Sequence, residues 1–274
     1  MKTTRDIKLL AFDLDGTFLA PDKSVTPRAR RAILSLRERG IEPVPTTGRA
    51  HQTLFSQVLG MDGFRYVIAA NGAVVLDVER RVFFVHEVIA TDVAAELVRK
   101  LERPGVVTYT CLDDEAGTRI ASCESLETLL DIMGYNPWDE PIVEHAADRI
   151  ESEGIGALKV GAHFCDRWRY EDFSPLAERF GLEHAASATG NAEFGPLGVT
   201  KATGLRALSR AIGLDLREVC AIGDAGNDAD MLRTAGLGVA MGNATNEARA
   251  AADEVALPNS EDGFADFVEH RLLV

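Results

Sequence analysis

Short apolar segments alternate with segments of helical periodicity near the start of the chain, and this alternation constrains the fold more than any other feature. The apolar run from Ile7 to Phe12 is typical of a strand buried on both faces. Thr26 and Pro27 then suit a helix N-cap and first helical position, and the helix ends at Gly40. A strand in IEPVPTT, a helix in HQTLFSQVLG ending at Gly60 and a strand in RYVIAANG follow. This β–α–β–α–β order predicts a parallel, doubly wound α/β sheet.

The same alternation returns near the end of the chain, with strands in EVCAIGD and LGVAMG on either side of a helix in NDADMLRTAG. The segment between the two halves mixes helices and strands in no regular order, which is typical of an α+β domain. We therefore predict one Rossmann-like α/β domain formed by residues 1–85 and 189–274. An α+β domain at residues 86–188 is inserted into it.

The charge balance limits the classes of partner. The 274 residues carry a formal net charge of −14, which argues against nucleic acid or an anionic membrane as the main partner. The four cysteines include no C-x-x-C pair, so they do not suggest a disulfide framework. The start MKTTRDIK lacks the apolar core of a signal peptide, and no run of about 18 apolar residues occurs. We expect a cytoplasmic protein.

Two carboxylates follow the first predicted strand, in AFDLDGT. Residues two apart in an extended chain point to the same side, so Asp13 and Asp15 are expected to leave the strand together. That edge of an open α/β sheet is where ligands bind, and adjacent like charges there are unfavourable without a cation. Oxygen ligands favour Mg²⁺. A surface Asp-Gly turn with solvated carboxylates is the alternative.

A second acidic cluster, GDAGNDADM, follows a later predicted strand. Asp224 ends that strand, and Asp228 lies four residues further on, where a helix begins. Acidic residues are common at helix starts because of the helix dipole, so this cluster alone does not establish a metal site. Carboxylates that two strands bring to one sheet edge, however, require a divalent cation.

Phosphate-binding groups are predicted at a strand end and at a helix start. Thr47 and Gly48 in PTTGR offer a hydroxyl and backbone N–H groups to a phosphate, although Thr-Gly is also a common turn. Arg49 could reach the substrate or form a structural salt bridge. Asn71 could shape the pocket or simply an Asn-Gly turn. Lys201, after FGPLGVT, supplies the fixed cation that a phosphate beside several carboxylates needs.

In this order, DLDGT, the Thr47 of TTGR, Lys201 and GDAGND resemble the four motifs of the haloacid dehalogenase (HAD) superfamily. NGAVVLD, FGPLGVTKATGL and VAMGNATNEARAAADEV are most similar to its Cof-type phosphatase branch. The resemblance covers residues 7–85 and 190–270, and it is specific because four spaced motifs must agree. It implies a HAD core with an α/β cap inserted at residues 86–188, between the second and third motifs.

The resemblance also implies a reaction. Asp13 would attack phosphorus to form an aspartyl-phosphate, and Asp15 would protonate the leaving oxygen and then activate water. Because a proton donor must hold its proton, the pKa of Asp15 is expected well above the free value of about 3.9. Lys201 would neutralise charge on the nucleophile and on the phosphoryl group.

The ligands of one Mg²⁺ and of the phosphate follow from the same resemblance. Asp13, the backbone carbonyl of Asp15, and Asp224 would hold the metal. Asp228 would support the metal shell and orient Lys201. Phosphate and substrate contacts would come from Thr47, Gly48, Arg49, Asn71, Lys201 and Asn227.

We therefore expect a Mg²⁺-dependent phosphatase of small phosphorylated metabolites, such as sugar phosphates, that works as a monomer or a homodimer. Two alternatives stay open. A phosphomutase of the phosphomannomutase type shares the core and both aspartates, and differs in passing the phosphoryl group to a second sugar hydroxyl. A non-catalytic phospho-ligand sensor would keep the fold, but degenerate catalytic positions would be its mark, and none is degenerate here.

Overall fold

The computed structural model describes residues 6–54, 58, 64–133, 142–143 and 145–274. The chain divides into two compact units, the first formed by Met1–His86 with Thr200–Val274 and the second by Glu87–Val199. Among the described residues, no helix combines the length and apolar character needed to cross a bilayer.

The helices and strands follow one another in three stretches of chain. The first unit begins with β1 (Leu9–Phe12), α1 (Pro27–Glu38), β2 (Glu42–Pro45), α2 (His51–Leu54), β3 (Tyr66–Ala69), β4 (Val74–Asp77) and β5 (Val82–His86). The second unit contains α3 (Thr91–Leu101), β6 (Val106–Leu112), β7 (Arg119–Ser122), α4 (Leu126–Met133), α5 (Ala146–Glu153), β8 (Ala157–Phe164), α6 (Ser174–Phe180), β9 (Leu182–Ala185) and β10 (Asn191–Pro196). The first unit resumes with α7 (Lys201–Ile212), β11 (Val219–Gly223), α8 (Ala229–Thr234), β12 (Leu237–Ala240), α9 (Asn246–Ala251), β13 (Glu254–Val255) and α10 (Gly263–Phe267).

A parallel sheet in the order β13-β12-β11-β1-β2 forms the centre of the first unit. The central strands β1 (LLAF) and β11 (VCAIG) are buried at every residue, as expected of parallel strands covered on both faces. A parallel bridge between Thr46 and Ile68 links this sheet to the antiparallel group β3-β4-β5. The parallel sheet with its helices confirms the predicted doubly wound α/β class.

Helices α1 and α7 of the first unit each begin directly after a threonine that caps them. Thr26 caps α1 by accepting a hydrogen bond from the Ala29 N–H at 3.0 Å, and Pro27 occupies the first helical position. Thr200 caps α7 in the same way, with the Thr203 N–H as donor at 3.2 Å. The described part of α2 ends at Leu54, and the predicted continuation to Gly60 lies largely outside the described residues.

The second unit contains an antiparallel sheet in the order β7-β6-β8-β10-β9. Helix α3 contacts β6, β8 and α5, and apolar residues from these elements form one buried cluster. The unit ends at Val199 and not at residue 188 as predicted, because β10 pairs with β8 and β9 and therefore belongs to this sheet.

Candidate active site

Three carboxylates meet at the carboxyl ends of β1 and β11. Asp13 follows β1, and its N–H donates to the Ile222 carbonyl of β11 at 3.0 Å. Asp224 follows β11 directly, and Asp228 lies at the end of the short turn that precedes α8. One oxygen from each of the three carboxylates lies within 4.8 Å of the others. The structure therefore brings the two acidic motifs of the sequence to one place.

Lys201 joins two of these carboxylates. Its ammonium donates to Asp13 Oδ1 and to Asp228 Oδ1, each at 2.6 Å, and its side chain is only 1% exposed. Lys201 is the first residue of α7, so the Thr200 cap fixes the backbone from which it extends. Burial acts to lower the pKa of Lys201, but the two carboxylates outweigh burial and raise it, so the lysine is charged.

Asp228 is held on both of its oxygens. Oδ1 accepts from Lys201, while Oδ2 accepts from the N–H groups of Asp224 at 2.9 Å and Ala225 at 3.0 Å. At Gly223 a Cβ would lie 2.5 Å from the Asp228 Cγ, so a side chain there would displace this carboxylate. Through these bonds Asp228 orients the Lys201 ammonium and fixes the backbone at Asp224 and Ala225, where the turn begins.

A wide turn at Leu14–Phe18 brings Thr17 to Asp224. The Thr17 hydroxyl donates to Asp224 Oδ1 at 2.7 Å. Gly16 in this turn has φ +88°, and a Cβ on it would lie 2.3 Å from Asp224 Oδ2. Glycine is therefore required both by the backbone conformation and by the close approach of the carboxylate.

In the part of the chain that the structure describes, the cluster has three carboxylates and only one nearby ammonium, that of Lys201. Burial raises the pKa of Asp13 well above its usual range, and the negative charges of Asp228 and Asp224 add to this effect although Lys201 opposes it. Burial, and next the charge of Asp228, raise the pKa of Asp224 to about 6. A divalent cation would offset these unfavourable charges, and carboxylate oxygens are the donors that Mg²⁺ prefers. The cluster of Asp13, Asp224 and Asp228 therefore fits a divalent cation such as Mg²⁺.

The Asp15 side chain does not share a cation with Asp13, contrary to the expectation from its spacing. Arg49 donates Nε–H to Oδ2 and Nη2–H to Oδ1, both at 2.7 Å, and Lys23 donates to Oδ1 at 2.9 Å. Burial acts to raise the pKa of Asp15, but these hydrogen bonds and charges outweigh burial and lower it to about 2. The expectation of a raised pKa for Asp15 is therefore wrong. The sequence did not show that Arg49 and Lys23, which come from two other loops, contact this carboxylate.

The predicted phosphate-binding residues lie together at the ends of β2 and β3. Thr47 is buried, its Oγ1 accepts from the Arg49 N–H at 3.2 Å, and its carbonyl accepts from the Asn71 N–H at 3.0 Å. Gly48 lies between Thr47 and Arg49 in the same loop. The Asn227 amide donates to Asn71 Oδ1 at 3.1 Å, which links this loop to the turn after β11.

Three contacts at the site were not foreseen from the sequence. Thr17 and Lys23 contact Asp224 and Asp15, as described above, and Asn243 donates to the Gly16 carbonyl at 2.8 Å. Thr17 had a signal, because it lies inside the DLDGT motif. Asn243 had none, because it lies 227 residues from its partner.

Known proteins resemble this chain over almost its whole length. A family model described as haloacid dehalogenase-like hydrolase matches residues 10–268. The phosphatase YwpJ of Bacillus subtilis (strain 168) is 31% identical, over 97% of this chain and 100% of that protein. The 5-amino-6-(5-phospho-D-ribitylamino)uracil phosphatase YcsE of the same organism is 28% identical, over 98% of this chain and 97% of that protein.

A solved structure of a HAD superfamily phosphatase has a similar fold. The HAD superfamily phosphatase BT1666 from Bacteroides thetaiotaomicron has a TM-score of 0.78 and 26% identity, over 98% of this chain and 96% of that one.

Proposed function

The chain belongs to the haloacid dehalogenase-like hydrolases, and we propose that it is a Mg²⁺-dependent phosphatase that hydrolyses small phosphomonoesters through an aspartyl-phosphate on Asp13. One observation carries this proposal. A buried lysine, Lys201, joins Asp13 to Asp228 at the carboxyl edge of a parallel sheet, within a cluster of three carboxylates. A nucleophile that must approach an anion needs this kind of fixed positive charge.

Asp13 is oriented for attack by its hydrogen bond to Lys201. The bond occupies Oδ1, and among the described residues no group donates to Oδ2. Attack by Oδ2 forms an oxygen–phosphorus bond as the ester P–O bond breaks, and the leaving oxygen takes a proton from Asp15, which must enter this step in its protonated form. In the second step Asp15 takes a proton from water, whose oxygen attacks phosphorus. Orthophosphate and the free Asp13 carboxylate result.

Asp13, Asp224 and the backbone carbonyl of Asp15 would hold the Mg²⁺, with Asp228 supporting them. The ion, when bound, neutralises charge between the nucleophile and the phosphate. The raised pKa values of Asp13 and Asp224 support this assignment, because burial and the neighbouring carboxylates outweigh the single positive charge of Lys201.

We assign phosphate binding to Thr47, Gly48 and the paired amides of Asn71 and Asn227. Because Thr47 Oγ1 already accepts the Arg49 N–H, its hydroxyl hydrogen is suited to donate to a phosphate oxygen. The second unit, Glu87–Val199, is assigned the role of the inserted cap. A small metabolite ester is the proposed substrate, since the relative YcsE is named for a small phosphorylated molecule.

Phosphate release tests this function. Orthophosphate is measured with phenyl phosphate and a panel of sugar phosphates, in Mg²⁺ and in EDTA, for the wild type, Asp13→Asn and Asp230→Asn. Asp230 is the matched control, because it is an exposed aspartate paired with Arg233 on α8. We expect Asp13→Asn and EDTA each to reduce turnover at least about 10³-fold and Asp230→Asn to have no effect.

Turnover that persists in Asp13→Asn would show that another group is the nucleophile. Turnover that is unchanged in EDTA would remove the metal from the proposal. Steady release of orthophosphate without an added bisphosphate favours hydrolysis over the phosphomutase alternative.

A further inference from the structure

Two cationic side chains, Arg49 and Lys23, contact the Asp15 carboxylate. Arg49 belongs to the TTGR motif, whereas Lys23 lies outside all four motifs. Arg49 donates to both oxygens of Asp15 and Lys23 donates to Oδ1, at distances of 2.7 to 2.9 Å. The side chains remain accessible, with Lys23 57% exposed and Arg49 25% exposed. Two accessible cations beside one carboxylate give this corner of the site a local positive charge, in a chain whose net charge is −14.

Lys23 reaches Asp15 from an unusual turn. Its φ is +66°, a left-handed conformation that residues with side chains rarely adopt. The turn is fixed by a bond from the Ala20 N–H to the Ser24 carbonyl at 3.0 Å and one from the Lys23 N–H to the Ala20 carbonyl at 2.8 Å. Asp22 Oδ1 also accepts from the N–H and hydroxyl of Ser24. Strained backbone that the surrounding bonds hold in place clusters at functional positions, which makes Lys23 a candidate for one.

The leaving oxygen of the substrate must approach Asp15 in the proposed first step, and Asp15 is the residue that both cations contact. Oδ1 accepts from both Arg49 and Lys23, whereas Oδ2 accepts from Arg49 alone and can still carry the proton for the leaving oxygen. Lys23 can therefore leave Asp15 while Arg49 still holds both oxygens. The ammonium of Lys23 then needs another anion, and the arriving substrate supplies one.

We propose that Lys23 is a substrate-binding residue whose ammonium, beside the Arg49 guanidinium, passes from the Asp15 carboxylate to an anionic oxygen of the bound phosphomonoester. The inference rests on the proposed phosphatase function and extends it to a residue outside the four motifs. The anionic oxygen belongs either to the reacting phosphate or to a second acidic group on the leaving part. Lys23 is the more mobile partner, because its ammonium lies on a flexible four-carbon stem.

Two aryl phosphates separate the two sources of the oxygen. Phenyl phosphate has a neutral leaving part, and 4-carboxyphenyl phosphate carries an added carboxylate. KM and kcat are measured with both for the wild type, Lys23→Met, Lys23→Arg and Lys8→Met. Lys8 is the matched control, since it is an exposed lysine of the same unit paired with Glu218.

For Lys23→Met we expect KM to rise about fivefold while kcat changes less than about twofold, because one exposed charge contact to the substrate is lost. A rise with both substrates assigns the oxygen to the reacting phosphate, and a rise with the carboxylated substrate alone assigns it to the second acidic group. Lys23→Arg should restore KM, and Lys8→Met should leave it unchanged. A KM unchanged with both substrates overturns the proposal, and so does a lower kcat at constant KM, which would make Lys23 only a support for Asp15.

Binding of orthophosphate with Mg²⁺, measured by calorimetry, gives a second readout that does not depend on turnover. If KM rises with both aryl phosphates, Lys23→Met should weaken orthophosphate binding more in the Asp15→Asn background, which lacks the internal carboxylate, than in the wild type. Equal losses in both backgrounds would then show that Asp15 and the substrate do not exchange this lysine. If KM rises with the carboxylated substrate alone, Lys23→Met should leave orthophosphate binding unchanged in both backgrounds. If the Lys23 proposal fails while the wild type still releases orthophosphate, the proposed phosphatase function stands. If the wild type releases no orthophosphate, the phosphatase function itself is refuted.

Discussion

Replacing Lys201 by Met should destabilise the protein strongly, even though lysine is usually a surface residue. The Lys201 side chain is 1% exposed and bonds Asp13 and Asp228, which are themselves buried. Methionine has similar length and no charge, so the change leaves two buried carboxylates facing each other with no lysine between them. The substitution therefore separates the effect of charge from that of side-chain volume.

The size of the effect follows from the burial. Removing one partner of a buried ion pair costs about 3–5 kcal/mol, because the remaining charge is left uncompensated. For a domain of about 150–250 residues each kcal/mol lowers the thermal midpoint by about 2–4 °C, so we expect a decrease of about 6–20 °C. Mg²⁺ should raise the midpoint of Lys201→Met more than that of the wild type, because the wild type already has one cation in the cluster.

Calorimetric melting of the wild type, Lys201→Met and Lys8→Met, each in EDTA and in Mg²⁺, measures this difference. The exposed Lys8–Glu218 pair should contribute at most about 1 kcal/mol, so Lys8→Met should melt close to the wild type. If Lys201→Met in EDTA melts within about 2 °C of the wild type, the reasoning about the buried lysine is refuted.

Three further predictions concern the neighbours of this cluster. Gly16→Ala should weaken Mg²⁺ binding in calorimetry, because a Cβ would lie 2.3 Å from Asp224 Oδ2; an unchanged affinity would contradict this. In EDTA, the raised pKa of Asp224, about 6, should make the free energy of unfolding decrease as pH rises from about 4 to 6, because the folded state then binds the extra proton. Urea unfolding of Asp224→Asn should show a flatter dependence over that range, and an equal slope would argue against the assignment. The pKa of Asp15 is lowered to about 2, so its ionised carboxylate stabilises the folded state above about pH 4, and this stabilisation is lost as the pH falls towards 2. Arg49→Met removes a cause of the lowered pKa and should therefore reduce the loss of stability on acidification.

Much of the site could be predicted because its residues lie at the ends of recognisable elements. Apolar strands place Asp13 and Asp224 at one sheet edge, and a capped helix begins at Lys201. These positions depend on local pattern and on the rule that ligands bind at the carboxyl ends of parallel strands. Local pattern was therefore enough to find the residues that meet at the carboxylate cluster.

The orientation of Asp15 could not be predicted, because it depends on contacts between loops. The two-residue spacing would point Asp15 the same way as Asp13 only if the chain stayed extended. The chain instead leaves the extended conformation directly after Asp13, where the turn Leu14–Phe18 begins, and Arg49 and Lys23 approach from separate loops. Likewise, the limit of the second unit at Val199 follows from the pairing of β10, which alternation in the sequence does not reveal.

Detection of phosphate on Asp13 tests the central claim most directly. Enzyme mixed with excess substrate and Mg²⁺ is quenched with acid, reduced with borohydride and digested, and the peptide Leu9–Lys23 is sequenced by mass spectrometry. The account predicts that reduction converts Asp13 to homoserine and leaves Asp15 and Asp22 unchanged, and that the product is absent in EDTA. Phosphate turnover with no modified peptide, or with the modification on another aspartate, would contradict it.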